Sequence, residues 1–175
     1  YVFVRTNGVW SEEAKLTASD GADYDNFGHS VSIDGDTVLI GARYDHDNGN
    51  SSGSAYVFIR NNGVWSEQQK LTASDGAQDD HFGNSVSIDG DTAVIGASRS
   101  VYGQLFSGRG SAYVYVRNNG AWTEQAKLTA SDVAEYDAFG YSVSIDGDTA
   151  VIGSNRDDDN GNDSGSAYVF VRNNS

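Results

Sequence analysis

At 175 residues the chain is long enough for one domain with a real core, and its formal net charge of −14 excludes a phosphate-rich partner such as nucleic acid or an anionic membrane surface. It has no Cys, so thiol chemistry and disulfides are excluded, and no apolar run approaches the roughly 18 residues of a membrane helix. Its 21 Gly, with Asp rather than Glu supplying most of the acid, point to short strands and turns instead of long helices.

The chain opens on Tyr1 rather than Met, which predicts a processed or excerpted product. Tyr1-Val2-Phe3-Val4-Arg5 alternates as a strand, Asn7-Gly8 gives a tight turn, and Val9-Trp10 opens the next strand. A two-residue turn places Arg5 across from Trp10, within reach of a cation–π contact. The stretch from Ser11 to Ala18 is a more polar strand, and polar residues on both of its faces mark a sheet edge. An acidic connector follows, holding Asp20 and Asp25, carboxylates suited to capping backbone amides at a turn.

Phe27 to Ala42 is the stretch around which the rest is organised. It reads as two strands about an Asp-Gly turn. With Asp34 and Gly35 in the turn, Val31 is expected opposite Val38, and Ser30 opposite Leu39. One face then carries Phe27, Val31, Ile33, Val38 and Ile40; the other carries Gly28, Ser30, Ser32 and Gly41. A hairpin with one bulky and one small face is built to be stacked on both sides.

The pattern then repeats. Phe27–Ala42 returns at Phe82–Ala97 and at Phe139–Ser154, and the strand beginning at Tyr1 returns at Tyr56, Tyr113 and Tyr168, a spacing of 55, 57 and 55 residues. The predicted fold is all-β, with four-stranded antiparallel sheets repeated about every 55 residues as β-propeller blades. Residues 1–18 are the last two strands of a blade, 19–73 and 74–130 are whole blades, and 131–175 supply the first three strands of another. Known propellers use ~4–8 blades, so these units predict either a longer array or a homo-oligomer.

Phe27-Gly28, Phe82-Gly83 and Phe139-Gly140, followed by Gly41-Ala42, Gly96-Ala97 and Gly153-Ser154, resemble the FG-GAP repeat of integrin α-subunit β-propellers and their bacterial relatives. The resemblance covers essentially the whole chain. It implies a propeller that is secreted or displayed at the cell surface and used for adhesion or ligand binding rather than catalysis. Two departures stand out. The motif's Pro is replaced by Arg43, Ser98 and Asn155. The family's calcium loop is shortened to Asp34-Gly35-Asp36, Asp89-Gly90-Asp91 and Asp146-Gly147-Asp148, turns too short to wrap the 6–8 oxygens that Ca²⁺ takes.

Between the second and third strands of each unit lies a loop that varies. In the first unit it contains Asp45 and Asp47 and in the third Asp157, Asp159 and Asp163, oxygen donors near a Gly that are expected to be Ca²⁺ ligands. In the second unit it runs from Arg99 to Arg109 without a carboxylate. Arg99, Tyr102, Gln104, Leu105, Phe106 and Arg109 are expected there to contact a protein or glycan ligand, or another copy of the chain. Asn50-Ser51-Ser52 and Asn162-Asp163-Ser164 fit a glycosylation acceptor. His29, His46 and His81 occupy unrelated positions and no nucleophile elbow is present, so no enzyme activity is expected. The predicted function is a non-catalytic extracellular adhesion or structural module. A carbohydrate-binding propeller is the runner-up and a propeller hydrolase the weaker third.

Overall fold

The computed structural model describes residues 1–98 and 108–173, which hold thirteen strands and no helix. A leading hairpin, β1 (Val2–Thr6) and β2 (Val9–Ala14), forms its own two-stranded sheet. The first unit is β3 (Phe27–Asp34), β4 (Thr37–Ala42), β5 (Ser54–Asn61) and β6 (Val64–Leu71), hydrogen-bonded in that order. The second repeats it as β7 (Phe82–Asp89), β8 (Thr92–Ala97), β9 (Ser111–Asn118) and β10 (Ala121–Leu128). In the third, β11 (Phe139–Asp146), β12 (Thr149–Ser154) and β13 (Ser166–Val171) make a three-stranded sheet. All pairings between these strands are antiparallel, and the described sheets form a series rather than a closed ring.

The Asn-Gly turns behave as their chemistry demands. Asn7, Asn62, Asn119 and the Gly after each have positive φ, the mark of a type I′ hairpin. Arg5, Arg60 and Arg117 therefore pair with Trp10, Trp65 and Trp122. Two of these Arg side chains lie over the indole, at 5.4 Å for Trp65 and 5.2 Å for Trp122.

The Asp-Gly turns correct the expected register. The turn residues are Gly35-Asp36, with positive φ at Gly35 alone, so Asp34 pairs with Thr37 and Val31 with Ile40, while Ser30 faces Gly41. The shift of two residues keeps every side chain on its expected face. It also frees the Asp34 carboxylate to accept the Gly90 amide at 2.8 Å, and Asp89 accepts the Gly147 amide at 2.6 Å. Each turn is thus tied to the next unit's turn, a link that no pattern within one hairpin reveals.

Stacking comes from the small face. Ser30 Oγ donates to the Gly83 carbonyl at 2.7 Å, and Ser32 Oγ accepts the Ile88 amide at 3.2 Å. Ser85 and Ser87 repeat both bonds to Gly140 and Ile145. A Cβ at Gly41 would strike the Gly83 carbonyl, and one at Gly96 would strike that of Gly140. These glycines are spaces for the neighbouring backbone. The apolar filling lies between units: Leu39, Val57 and Leu71 of the first pack with Val86, Ile88 and Tyr115 of the second. Each Phe-Gly phenylalanine stands edge-on to its own unit's tyrosine, Phe27 on Tyr56 and Phe82 on Tyr113 at 5.4 Å, and Phe139 on Tyr168 at 5.5 Å.

At the two ends of the series the same surfaces are bare. Val31 and Ile33 of β3 are 66% and 60% exposed, while their counterparts Val86 and Ile88 are buried. At the other end Val169 and Val171 of β13 are exposed.

Candidate functional site

The acidic connectors are structural, as expected. Asp25, Asp80 and Asp137 each accept the amide three residues earlier, from Ala22, Ala77 and Ala134, at 2.6, 2.8 and 2.6 Å. The turn carboxylates Asp36, Asp91 and Asp148 receive Arg60, Arg117 and Arg172 of the third strands.

The remaining connector carboxylates meet the variable loops. In the first unit the Tyr56 hydroxyl, buried on β5, lies 2.7 Å from Asp45 Oδ2 and 2.9 Å from Asp20 Oδ1. Lys70, on β6, brings its ammonium to Asp20 at 2.7 Å, Asp45 at 3.0 Å and Asp47 at 2.5 Å. Desolvation opposes the charge on Lys70, but its bonds to Asp20, Asp47 and Asp45 outweigh it and hold the group above its ordinary range. The hydrogen bond from Lys70 in turn holds Asp20 below the usual carboxylate range. Burial and the Asp45 carboxylate push the Tyr56 hydroxyl up, keeping it protonated as a donor. This lysine, not recognised in the sequence, fills the place assigned to a metal. Its signal is the spacing Trp to Lys, identical at Trp10/Lys15, Trp65/Lys70 and Trp122/Lys127, with a Tyr on the strand before.

The other two units show the cluster with parts exchanged. In the second, Lys127 bonds Asp75 at 2.6 Å, and Tyr113 donates to Asp75 at 2.7 Å. In the third, the Tyr168 hydroxyl lies 2.7 Å from buried Asp157 and 2.9 Å from Asp132. The bond from Tyr168 draws Asp157 below its usual range, and the Asp157 charge pushes exposed Asp159 up. No described residue stands where Lys70 does, because the described third unit has no fourth strand.

The loops that carry these groups fold alike. The Asp47 and Asp159 amides donate to Asp45 and Asp157 Oδ1, while Ser51 donates to His46 Nδ1 and Asp163 to Asp158 Oδ1. The expected calcium ligands are therefore divided. Asp45 and Asp47 converge on an ammonium and do not fit a metal. Asp157 and Asp159 are joined by a backbone bond, and Asp163 turns its amide to a different carboxylate. Among the described residues no three carboxylate or imidazole groups converge as a metal ligand set.

Of the expected contact loop, Arg99, Tyr102, Gln104, Leu105 and Phe106 lie outside the described residues. Arg109 is exposed, and its carbonyl accepts the Phe139 amide at 3.0 Å, fixing the end of that loop to the third unit.

Fourth strands reach across the junctions as well. The Trp65 indole donates to Glu13 of β2 at 2.9 Å, and that of Trp122 to Gln68 of β6 at 3.1 Å. Gln69 brackets the Trp122 backbone, accepting its amide at 2.9 Å and donating to its carbonyl at 2.8 Å. Between the second and third units the corresponding place is an apolar groove of about 240 Å³, reaching from Gln125 and Leu128 of β10 to Phe170 of β13.

A family model described as FG-GAP repeat matches residues 10–58, 65–115 and 122–170. The chain belongs to the FG-GAP repeat family. Each match begins at the Trp of one sheet's last strand and ends in the third strand of the next, so the family's repeat is offset by one strand from the sheets. Its two dipeptides are the inter-unit contacts described above: the Phe-Gly pair supplies a ring for its own sheet and a carbonyl for the previous one, and the second glycine receives that carbonyl. No curated protein matches the chain at comparable strength.

Proposed function

We propose that this FG-GAP chain is a non-catalytic module of an extracellular adhesion or structural protein, built as blades of a propeller and presenting loops to a protein partner. One observation carries the reading. The recurring charged side chains near the turns and connectors are engaged inside the scaffold, by caps, Arg–Asp pairs and the Tyr–Asp–Lys clusters. The one loop that departs in both length and chemistry is Arg99 to Arg109. A scaffold with constant junctions and one odd loop suits recognition better than turnover.

The contact residues in this reading are Arg99, Tyr102, Gln104, Leu105, Phe106 and Arg109. Surfaces coated with the chain should retain cells or matrix protein. Replacing Tyr102, Leu105 and Phe106 together by Ser should abolish retention while leaving the melting temperature unchanged. Retention that survives the triple change, or a chain that unfolds because of it, contradicts the reading. Glycan-coated plates probed in parallel separate a lectin from a protein binder.

Calcium belongs, in this reading, to the third loop alone, at Asp157 and Asp159. Millimolar calcium should raise the melting temperature, and Asp157→Asn should remove the rise. Superimposable curves in calcium and in chelator would exclude the ion.

A further inference from the structure

The units are copies of one scaffold, so a side chain confined to one of them answers to something other than the fold. A set of such side chains lies together at the junction of the first and second units. Arg43 and Tyr44 follow β4, where the second unit has Ser98 and Arg99 and the third has Asn155 and Arg156. His29, on β3, stands where Asn84 and Tyr141 stand in the others. His81, just before β7, stands where Asn26 and Ala138 do.

The half-buried Arg43 lays its guanidinium over the Tyr44 ring at 4.6 Å, and that ring stands edge-on to His81 at 5.1 Å. Among the described residues the guanidinium makes one long hydrogen bond, from Nη1 to Asn84 Oδ1 at 3.4 Å. Asn84 is itself oriented by a bond from its Nδ2 to the Tyr141 carbonyl at 3.1 Å. Nε of Arg43 is buried with no partner. An unmade bond at a buried donor destabilises the free chain, and an acceptor that draws the guanidinium outward removes that penalty. Arg60, Lys70, Arg117, Lys127 and Arg172 each hold a carboxylate, whereas Arg43 holds none among the described residues. Desolvation first and the Arg43 charge second lower both His29 and His81, with Asp79 opposing them at His81. In a chain of net charge −14 this is a positive charge left uncompensated.

We infer that Arg43, flanked by His29 and Asn84, is a binding site for a single carboxylate, supplied by a Glu or Asp side chain of a protein partner. The inference rests on reading the chain as a protein-binding module, but on residues other than the Arg99–Arg109 loop. A planar fork of N–H donors matches the two oxygens of a carboxylate and takes both at once. His29, exposed beside Asn84, adds an imidazole N–H at the rim. The chain's own charge selects against polyanions and doubly charged phosphate, so the partner's acid stands alone among neutral or basic residues.

Nuclear magnetic resonance titration of the isotope-labelled full chain tests this. The probe is a short capped Gly/Ser peptide with one central Glu, compared with its Gln analogue, glucuronate and inorganic phosphate. The Glu peptide should shift the Arg43 Nε–H and Asn84 side-chain signals in a saturable way, and the Gln analogue should not. Arg43→Ser should weaken binding at least about ten-fold, and His29→Asn should weaken it less. Arg43→Lys, which keeps the charge and loses the fork, should also weaken it. Ser98 and Asn84 already occupy these positions in the second unit, and unchanged spectra away from the site show that each variant folds. Absence of a saturable shift, equal shifts with the Gln analogue, or Glu binding that survives Arg43→Ser overturns the inference. Glucuronate or phosphate that binds where the Glu peptide does not overturns the assignment to a protein side chain. The triple change of Tyr102, Leu105 and Phe106 to Ser should leave the titration unaltered, so failure of the loop reading and failure of this site are told apart.

Discussion

Trp122, 2% exposed, lies with Leu39, Val57 and Leu71 at the junction of the first and second units, whereas the matching place between the second and third is a groove of about 240 Å³. The inner halves of the two junctions are nearly the same. Both have the serine bonds, the glycine that accommodates a carbonyl and the turn-to-turn carboxylate. The largest difference lies at the outer edge, where the first junction has a fourth strand on each side and the second, among the described residues, on one side only. The inner strands therefore set the stacking, and the fourth strand fills the outer part of the previous junction. A repeat is complete only when its successor's last strand is in place, which is also why the family's sequence repeat straddles two sheets.

The comparison can be broken most severely at Trp122. Trp122→Ala should open at the first junction the groove already present at the second, costing about 3–5 kcal/mol in denaturant unfolding. Trp10→Ala, at an exposed indole with no junction to fill, should change stability by no more than about 0.5 kcal/mol. Equal losses for the two would mean that tryptophan serves its own hairpin and not the junction.

The pH dependence should come next in size, because the junctions differ there too. His81, beside Tyr44 at the first junction, has buried Ala138 as its counterpart at the second. Burial, with the Arg43 charge second, lowers the His81 imidazole from 6.5 to about 4. The neutral ring is the folded form. Its contribution is therefore complete above pH 6.5, declines as pH falls, and is lost below about 4, with a total of up to about 3 kcal/mol. His81→Ala should remove that part of the slope of stability against pH between 4 and 6.5, as read from unfolding series; an unchanged slope would place the titrating group elsewhere.

Lys70→Met should follow, costing about 2–3 kcal/mol, because Asp45 is 5% exposed and would lose the ammonium that it faces at 3.0 Å. Lys127→Met, whose ion-pair partner among the described residues is the half-exposed Asp75, should cost about 0.5 kcal/mol. Thermal unfolding of the two variants separates these values, and a reversed order would show that the number of carboxylates around the lysine does not set its worth.

Much of this architecture is legible in the sequence because it is local. The Asn-Gly turns fix the hairpin register, so the Arg60–Trp65 and Arg117–Trp122 pairs follow from counting, and Asp25, Asp80 and Asp137 cap as their recurrence suggests. Alternation places Val31, Ile33, Val38 and Ile40 on one face. What fails to show are the contacts made between units. The Asp34 carboxylate serves a turn 56 residues away, a bond that nothing in its own hairpin announces. Lys70 looks like a surface lysine on a polar edge strand until Asp20, Asp45 and Asp47 are brought around it from two loops. The exposure of Val31 against the burial of Val86 is set by the neighbouring unit and by nothing in the hairpin itself.

The most direct test of the account is to give the third unit a fourth strand. Residues 119–130 appended after Asn173 would follow β13 as they follow β9, placing a second Trp and Lys at the groove and the acidic cluster. The fourth-strand account predicts a melting temperature several degrees higher and protection of the β13 edge amides in hydrogen exchange. An extended chain that melts where the original does, with the β13 edge still exchanging freely, would contradict it.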